Sequence, residues 1–247
     1  MTAFPRTRNA VLVGAVCTGL AAALAGCGSG EDPDAGTNGV GKLSATKIEG
    51  KARKAVDGAE AVRLAGSLVT KGRTYRLDMR LKKDGGIGQV STKGRRFELL
   101  RVGDELYLKA DTAFWSGQQG GSTPSDSAAA SKLDDKYVKV PSGDPAYKQL
   151  SGFTEMDLML DGLLGLHGKR AAGDRGSVGG VRTVRVTAGN GAGGAFDVSL
   201  EGTPYPLRLQ RAGGAGVVQL SDWNQDFGLK APDKEHIVDY GRQISTN

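Results

Sequence analysis

The segment Tyr75-Arg-Leu77-Asp-Met79-Arg-Leu81 alternates apolar and charged side chains without a break. A period of two belongs to the extended chain, where successive side chains point to opposite faces. Tyr75, Leu77, Met79 and Leu81 therefore share a dry face, and Arg76, Asp78 and Arg80 a wet one. The same pattern recurs at Val62, Leu64 and Leu68, at Phe97 with Leu99, and at Leu106 with Leu108. It returns in Phe196-Asp-Val198-Ser-Leu200 and Tyr205-Pro-Leu207-Arg-Leu209. A sheet with one face buried and one in water satisfies all of these runs. The connectors Asp84-Gly-Gly, Lys93-Gly94, Gly103-Asp104 and Asn190-Gly191 are turn chemistry. Short turns between consecutive strands predict antiparallel neighbours. There is no strand–helix–strand rhythm, so a parallel sheet is not expected.

The dry face needs a cover. Leu43 to Glu60 reads as a helix, with Ser44 at its cap, Ile48, Ala52, Ala55 and Val56 on one side, and Gly50 as a weak point. Between the two groups of strands, Asp111 to Gly168 is different in kind. Asp126 to Leu133 and Met156 to Leu166 are its helical segments. The second carries Met156, Leu158, Met159, Leu160, Leu163, Leu164 and Leu166. Apolar residues around most of a helix predict burial on nearly all sides. The expectation is an α+β fold: a bent antiparallel sheet with helices in its hollow.

The N-terminus is separate. Arg6 and Arg8 precede a run from Ala10 to Gly26 with no charged residue. That run is too short and too rich in Ala and Gly for a spanning helix, and a basic start before a short apolar core is an export signal. Thr7 separates the arginines, which favours the general secretory route over the twin-arginine route. The run ends in Leu24-Ala25-Gly26-Cys27, which resembles the lipobox of bacterial lipoproteins. The resemblance implies cleavage before Cys27 and a diacylglycerol on its thiol, holding the protein at the outer face of the cytoplasmic membrane. The alternative is ordinary cleavage after Ala23-Leu24-Ala25, leaving Cys27 a free thiol. The expected organisation is a signal at 1–26, the lipidated cysteine with a flexible Gly-rich tether at 27–42, and a domain at 43–247.

Several function classes are disfavoured. The chain has two cysteines, Cys17 in the signal and Cys27, so no disulfide or thiolate metal site is expected in the domain. The formal net charge is +6, two of it in the signal. The basic clusters Lys82-Lys83 and Lys93-Gly-Arg95-Arg96 sit in turns without interleaved aromatics, which argues against nucleic acid. No G-x-S-x-G occurs. His167 and His236 are the only histidines. His167 reads as a cation or cap closing the apolar helix, and Asp157 with Asp161 as a solvated stripe rather than a carboxylate dyad. Gly189-Asn-Gly191-Ala-Gly-Gly194 matches G-x-G-x-x-G but opens no helix, so it reads as a loop between strands. Neither an enzyme nor a cofactor or metal site is expected.

Some stretches carry a family resemblance. They are Glu105-Leu-Tyr-Leu-Lys-Ala with Ala113-Phe-Trp115, Lys136-Tyr-Val-Lys-Val-Pro141, and Gly152-Phe-Thr-Glu-Met-Asp-Leu-Met-Leu-Asp-Gly-Leu-Leu164. Gly202-Thr-Pro-Tyr-Pro-Leu-Arg-Leu209 and Leu220-Ser-Asp-Trp223 follow in order. From about Leu43 to Tyr240 the chain resembles the mycobacterial LppX/LprAFG lipoproteins. The resemblance implies a U-shaped antiparallel β half-barrel, similar to the LolA and LolB carriers, with helices on its concave face and an apolar cavity between them. It implies that the cavity holds acyl chains of lipids or glycolipids, that the protein carries or presents them in the envelope, and that a membrane transporter is a possible partner. By matching segments, the implied lining is Leu77, Met79, Phe97, Leu99, Leu106, Leu108, Met159, Leu163, Phe196 and Leu207. For any one of them ordinary core is the simpler reading, since a buried apolar side chain needs no ligand to explain it. A second function stays open: an envelope interaction module that docks a membrane protein or wall polymer without lipid cargo.

Overall fold

The computed structural model describes residues 34–118 and 124–238. The expected export signal, Cys27 and the residues up to 33 lie outside this range. Pro33–Asn247 forms one compact unit on its own contacts, so it is expected to fold without residues 1–32.

Twelve strands form one sheet. In chain order they are β1 (Ala61–Thr70), β2 (Arg73–Lys82), β3 (Gly85–Thr92), β4 (Arg95–Val102), β5 (Glu105–Ala110) and β6 (Tyr137–Val140), then β7 (Arg170–Val178), β8 (Val181–Ala188), β9 (Ala195–Ser199), β10 (Pro206–Gln210), β11 (Gly216–Ser221) and β12 (Ile237–Val238). Their order across the sheet is β12-β6-β5-β4-β3-β2-β1-β11-β10-β9-β8-β7. Every pairing is antiparallel except β12 with β6. Two runs of consecutive hairpins are thus joined at the middle by β1 and β11. Among the described residues there are five α-helices: α1 (Ala45–Asp57), α2 (Thr112–Gln118), α3 (Pro124–Lys132), α4 (Pro145–Ser151) and α5 (Met156–Leu164). The expected α+β class with an antiparallel, unclosed sheet holds.

The turns explain the hairpins. Thr70-Lys71-Gly72-Arg73 joins β1 to β2, and Thr92-Lys93-Gly94-Arg95 joins β3 to β4 with the same four residues. Both central residues have positive φ, 49° and 71° in the first and 49° and 77° in the second. That is the two-residue turn whose twist matches a hairpin. The registers place both tips at one rim, together with the β8–β9 and β10–β11 connections. The opposite rim holds the turns at Lys83-Asp84, Gly103-Asp104 and Gly179-Gly180.

Glycines let neighbouring backbones close up where the sheet bends. A Cβ on Gly88 would lie 2.2 Å from the Asp78 carbonyl oxygen, and one on Gly66 equally close to that of Val217. Only a residue without a side chain fits such an approach.

Several expectations need correction. Residues 34–42 are no tether: Asp34 is buried and paired with Arg175, the Asn38 amide donates to the Ser199 and Gly202 carbonyls, and Val40 is in the core. α5 is not buried all round, since Leu158 is 59% exposed and Asp157, Asp161 and Gly162 face water beside it. Its two aspartates are solvated, as the spacing predicted. His167 does not cap α5, which ends at Leu164; its backbone N–H donates to the Gly193 carbonyl instead. The glycine-rich Gly189–Gly194 segment joins β8 to β9 and opens no α-helix, as read from the sequence.

Candidate functional site

The strand registers assemble the inner face as rows. The longest runs Val186, Phe196, Leu209, Val218, Gly66, Leu77, Val90, Phe97, Ala110, one residue from each of nine adjacent strands. Beside it run Leu220, Leu64, Met79, Gly88, Leu99, Leu108 and Val138. Nearer the second rim run Val62, Leu81, Gly86, Arg101, Leu106 and Val140. Arg101 is the one charge in these rows, and it binds Thr154, donating to both its hydroxyl and its carbonyl oxygen. That contact seats the segment before α5 on Gly86, where a Cβ would meet the Thr154 carbonyl oxygen at 3.2 Å.

The cover comes from helices and loops. Ile48, Ala52 and Val56 of α1 are buried, as are Leu150 of α4 and Met156, Leu160, Leu163 and Leu164 of α5. On α2, Trp115 is fully buried and its indole N–H donates to the Ala110 carbonyl at 3.2 Å. Phe114 lies 5.5 Å from Phe97, and Phe153 lies 5.4 Å from Tyr75, centroid to centroid. Such tilted pairs add about 0.5–1.5 kcal/mol beyond their buried area.

One buried charge clasps the cover to the sheet. Glu49 of α1 accepts two hydrogen bonds from Arg170 of β7, at 2.7 and 3.1 Å, and one from Arg53. Arg53 also donates to the Leu164 carbonyl at the end of α5. The Arg170 hydrogen bond, against the opposing pull of burial, holds the Glu49 carboxyl below the usual glutamate range.

Of the ten lining residues expected from sequence, Leu77, Met79, Phe97, Leu99, Leu106, Leu108 and Phe196 all point inward and are buried. Leu163 is buried on α5, and Met159 packs half-buried against the same cluster. Leu207 stands apart. The register of β10 against β9 shifts between Pro206 and Arg208, so Leu207 is the extra residue of a β-bulge. The bulge breaks the alternation: Pro206 and Leu209 turn inward, and Leu207 is left half-exposed. Sequence reasoning passed over Val184, Val186, Val218 and Leu220, although Val184-Arg-Val186 and Val218-Gln-Leu220 carry the same period-two signal. Val90 and the glycines of β3 gave no comparable signal.

The outer face is chemically different. Asp197, 4% exposed, receives Arg185 and Arg208, the latter at 2.6 Å. The Arg63 guanidinium grips both oxygens of Asp78 at 2.9 Å. Tyr107 donates to Glu105, and burial together with that carboxylate pushes the phenol up to about 12. Among the described residues no group of three or more His, Cys, Asp or Glu could hold a metal ion, and no helix is long and apolar enough to cross a membrane.

No family model matches the sequence, and no curated protein matches it. Solved structures do. LprF from Mycobacterium bovis is similar over 76% of this chain and 96% of that one, with a TM-score of 0.52 at 15% identity. The Mycobacterium tuberculosis lipoprotein LppX is similar over 75% of this chain and 98% of its own, with a TM-score of 0.43 at 13% identity. At such identity the likeness to LprF is one of fold. The half-barrel expected from the sequence resemblance is therefore the fold observed.

Proposed function

We propose that this protein is an envelope lipoprotein, anchored through a diacylglycerol on Cys27, that binds acyl chains between the sheet and its helices. The observation that carries the reading is the nine-strand apolar row on the inner face, flanked by two more. Its cover consists of helices of 7 to 13 residues joined by loops, which can separate from the sheet without breaking a strand pairing. An acyl chain inserted there gains about 0.8 kcal/mol per CH₂ removed from water. Aliphatic and Met side chains adapt to such a guest. The LprF-like fold supports the same reading. The protein would carry or present lipid at the outer face of the cytoplasmic membrane, with a transporter as a possible partner.

The test is native mass spectrometry of residues 33–247, exported in a bacterium and purified without detergent. A discrete added mass that extracts as a diacyl or larger lipid is the expected result. A bare protein mass, unchanged after incubation with membrane lipid extract, sinks the proposal. One observation favours the other reading, an interaction module with a closed core: the Phe97–Phe114 and Tyr75–Phe153 contacts fill the hollow. A bare mass would make that reading the better one.

A further inference from the structure

We infer that the outer face of strands β1–β4, at the rim of the two Thr-Lys-Gly-Arg turns, is a docking surface for an anionic phospholipid bilayer. Arg76 on β2 and Arg96 on β4 both point outward and share one row with Ser91 between them. Two strand spacings put their Cα atoms about 9.5 Å apart. A shallow depression of about 230 Å³ is lined by Arg76 and Arg96 together with Leu77, Asp78, Gln89 and Ser91. Lys71 and Lys93 stand beyond them at the turns, and all four cations are exposed.

None of these four forms an ion pair among the described residues. The nearby acids are engaged: Asp78 holds Arg63, and Glu98 accepts from the Tyr137 hydroxyl. The other end of the same strands is different. There Phe227 lies against Arg80 and Lys82, and Asp226 pairs with Lys82, so the C-terminal segment covers the basic residues. At the turn-bearing end, Lys71, Arg76, Lys93 and Arg96 carry no such cover among the described residues.

Apolar side chains favour a bilayer over a soluble polyanion. Three large apolar residues are exposed among those described, and two of them lie here, Val69 at 38% and Val217 at 43%. Val217 opens the Arg76–Arg96 row through Ser67, and Val69 follows two residues later on the same face of β1. Cations that reach phosphates beside apolar groups that enter the interface are the two components of peripheral membrane binding. A dissolved polyanion would leave both valines in water.

The chain joins the sheet at the opposite rim, where Asp34 meets Arg175 and Asn38 meets Ser199. An anchor on Cys27 and this patch would hold the domain at two separate points and so fix its orientation. The inference does not depend on lipid cargo, and its failure leaves the binding of acyl chains untouched.

The experiment is co-sedimentation of residues 33–247 with vesicles of phosphatidylglycerol and phosphatidylcholine, or of phosphatidylcholine alone. Binding to the anionic vesicles only, weakening steeply with salt, is expected. Each cation removed should lower the partition coefficient about fivefold. Lys71→Asn with Lys93→Asn suits the left-handed turn positions and keeps the fold; it should cost more than tenfold. Adding R76Q and R96Q should abolish binding, while Val69→Ser with Val217→Ser should weaken it severalfold. Equal binding to neutral vesicles, or unchanged binding by the four-cation variant, overturns the inference. So does tight binding to soluble polyphosphate that the valine substitutions leave unaltered, which would assign the patch to a free polyanion.

Discussion

The two faces of one sheet are built on opposite rules. On the inner face neighbouring strands meet through mainly aliphatic side chains, row after row, with Arg101 the single charge in the three rows described above. On the outer face they meet through ion pairs, Arg63 with Asp78, Arg185 and Arg208 with Asp197, Lys139 with Glu105. The inner pattern is indifferent to which apolar group lies opposite which, the property that the proposed acyl-chain binding needs. The outer pattern is specific pair by pair, and it holds the register that keeps every apolar residue on the inner side.

This contrast can be broken in stages. Trp115→Ala empties the largest side chain of the inner cover, and should cost about 3–5 kcal/mol in urea unfolding. It should also raise lipid uptake if the vacated space joins the acyl site. Asp197→Ala, on the outer face, should cost about 1–2 kcal/mol, because two arginines lose a buried carboxylate but keep partial access to water. An unchanged midpoint would show that the outer pairs do not hold register. The Glu49 clasp predicts a pH effect. Its folded carboxyl titrates below the unfolded one, so its contribution is present above the unfolded value near 4.5 and is lost as pH falls through the folded value. Glu49→Gln should flatten that acid limb in unfolding curves measured from pH 6 to pH 3. The smallest effect is expected from Arg63→Ala, about 0.2–1 kcal/mol and reduced by salt, because both partners of that pair are half-exposed.

How much was legible in the sequence follows from what each residue contributes to a pattern. β2 is plain because four of its five inward positions, Tyr75, Leu77, Met79 and Leu81, carry large apolar groups. α1 was plain because Ile48, Ala52 and Val56 repeat at helical spacing. β3 was invisible: its inward positions are Gly86, Gly88 and Val90, and a strand that contributes backbone rather than side chains has no hydropathic period. β7 failed for another reason, since an edge strand such as Arg-Ala-Ala-Gly-Asp-Arg-Gly-Ser-Val is wet on both faces. α2 and α4, at seven residues each, are shorter than a helical period can establish. α5 was read correctly as apolar, but composition alone did not show that Leu158 would face water. Leu207 was misplaced because a bulge is a tertiary event: the sequence alternates through it, and only the pairing with β9 reveals the extra residue. The packing of residues 34–42 was hidden by their glycines, since the contacts that order them are made by Arg175, Arg182 and Ser199 far along the chain.

The pairing of β1 with β11 has a consequence in time. Leu68 and Gly216 lie about 150 residues apart in the chain, yet they are partners at the centre of the sheet. Each run of hairpins can zip locally as it emerges, but the seam between them must wait until nearly the whole polypeptide has been delivered. Contacts of such long sequence separation are slow to form. During that wait both half-sheets expose an unpaired edge and a bare apolar surface, the features that drive aggregation. A newly made chain of this design therefore passes its most vulnerable moments with its middle still open, and a holding chaperone would act on that species rather than on the finished fold.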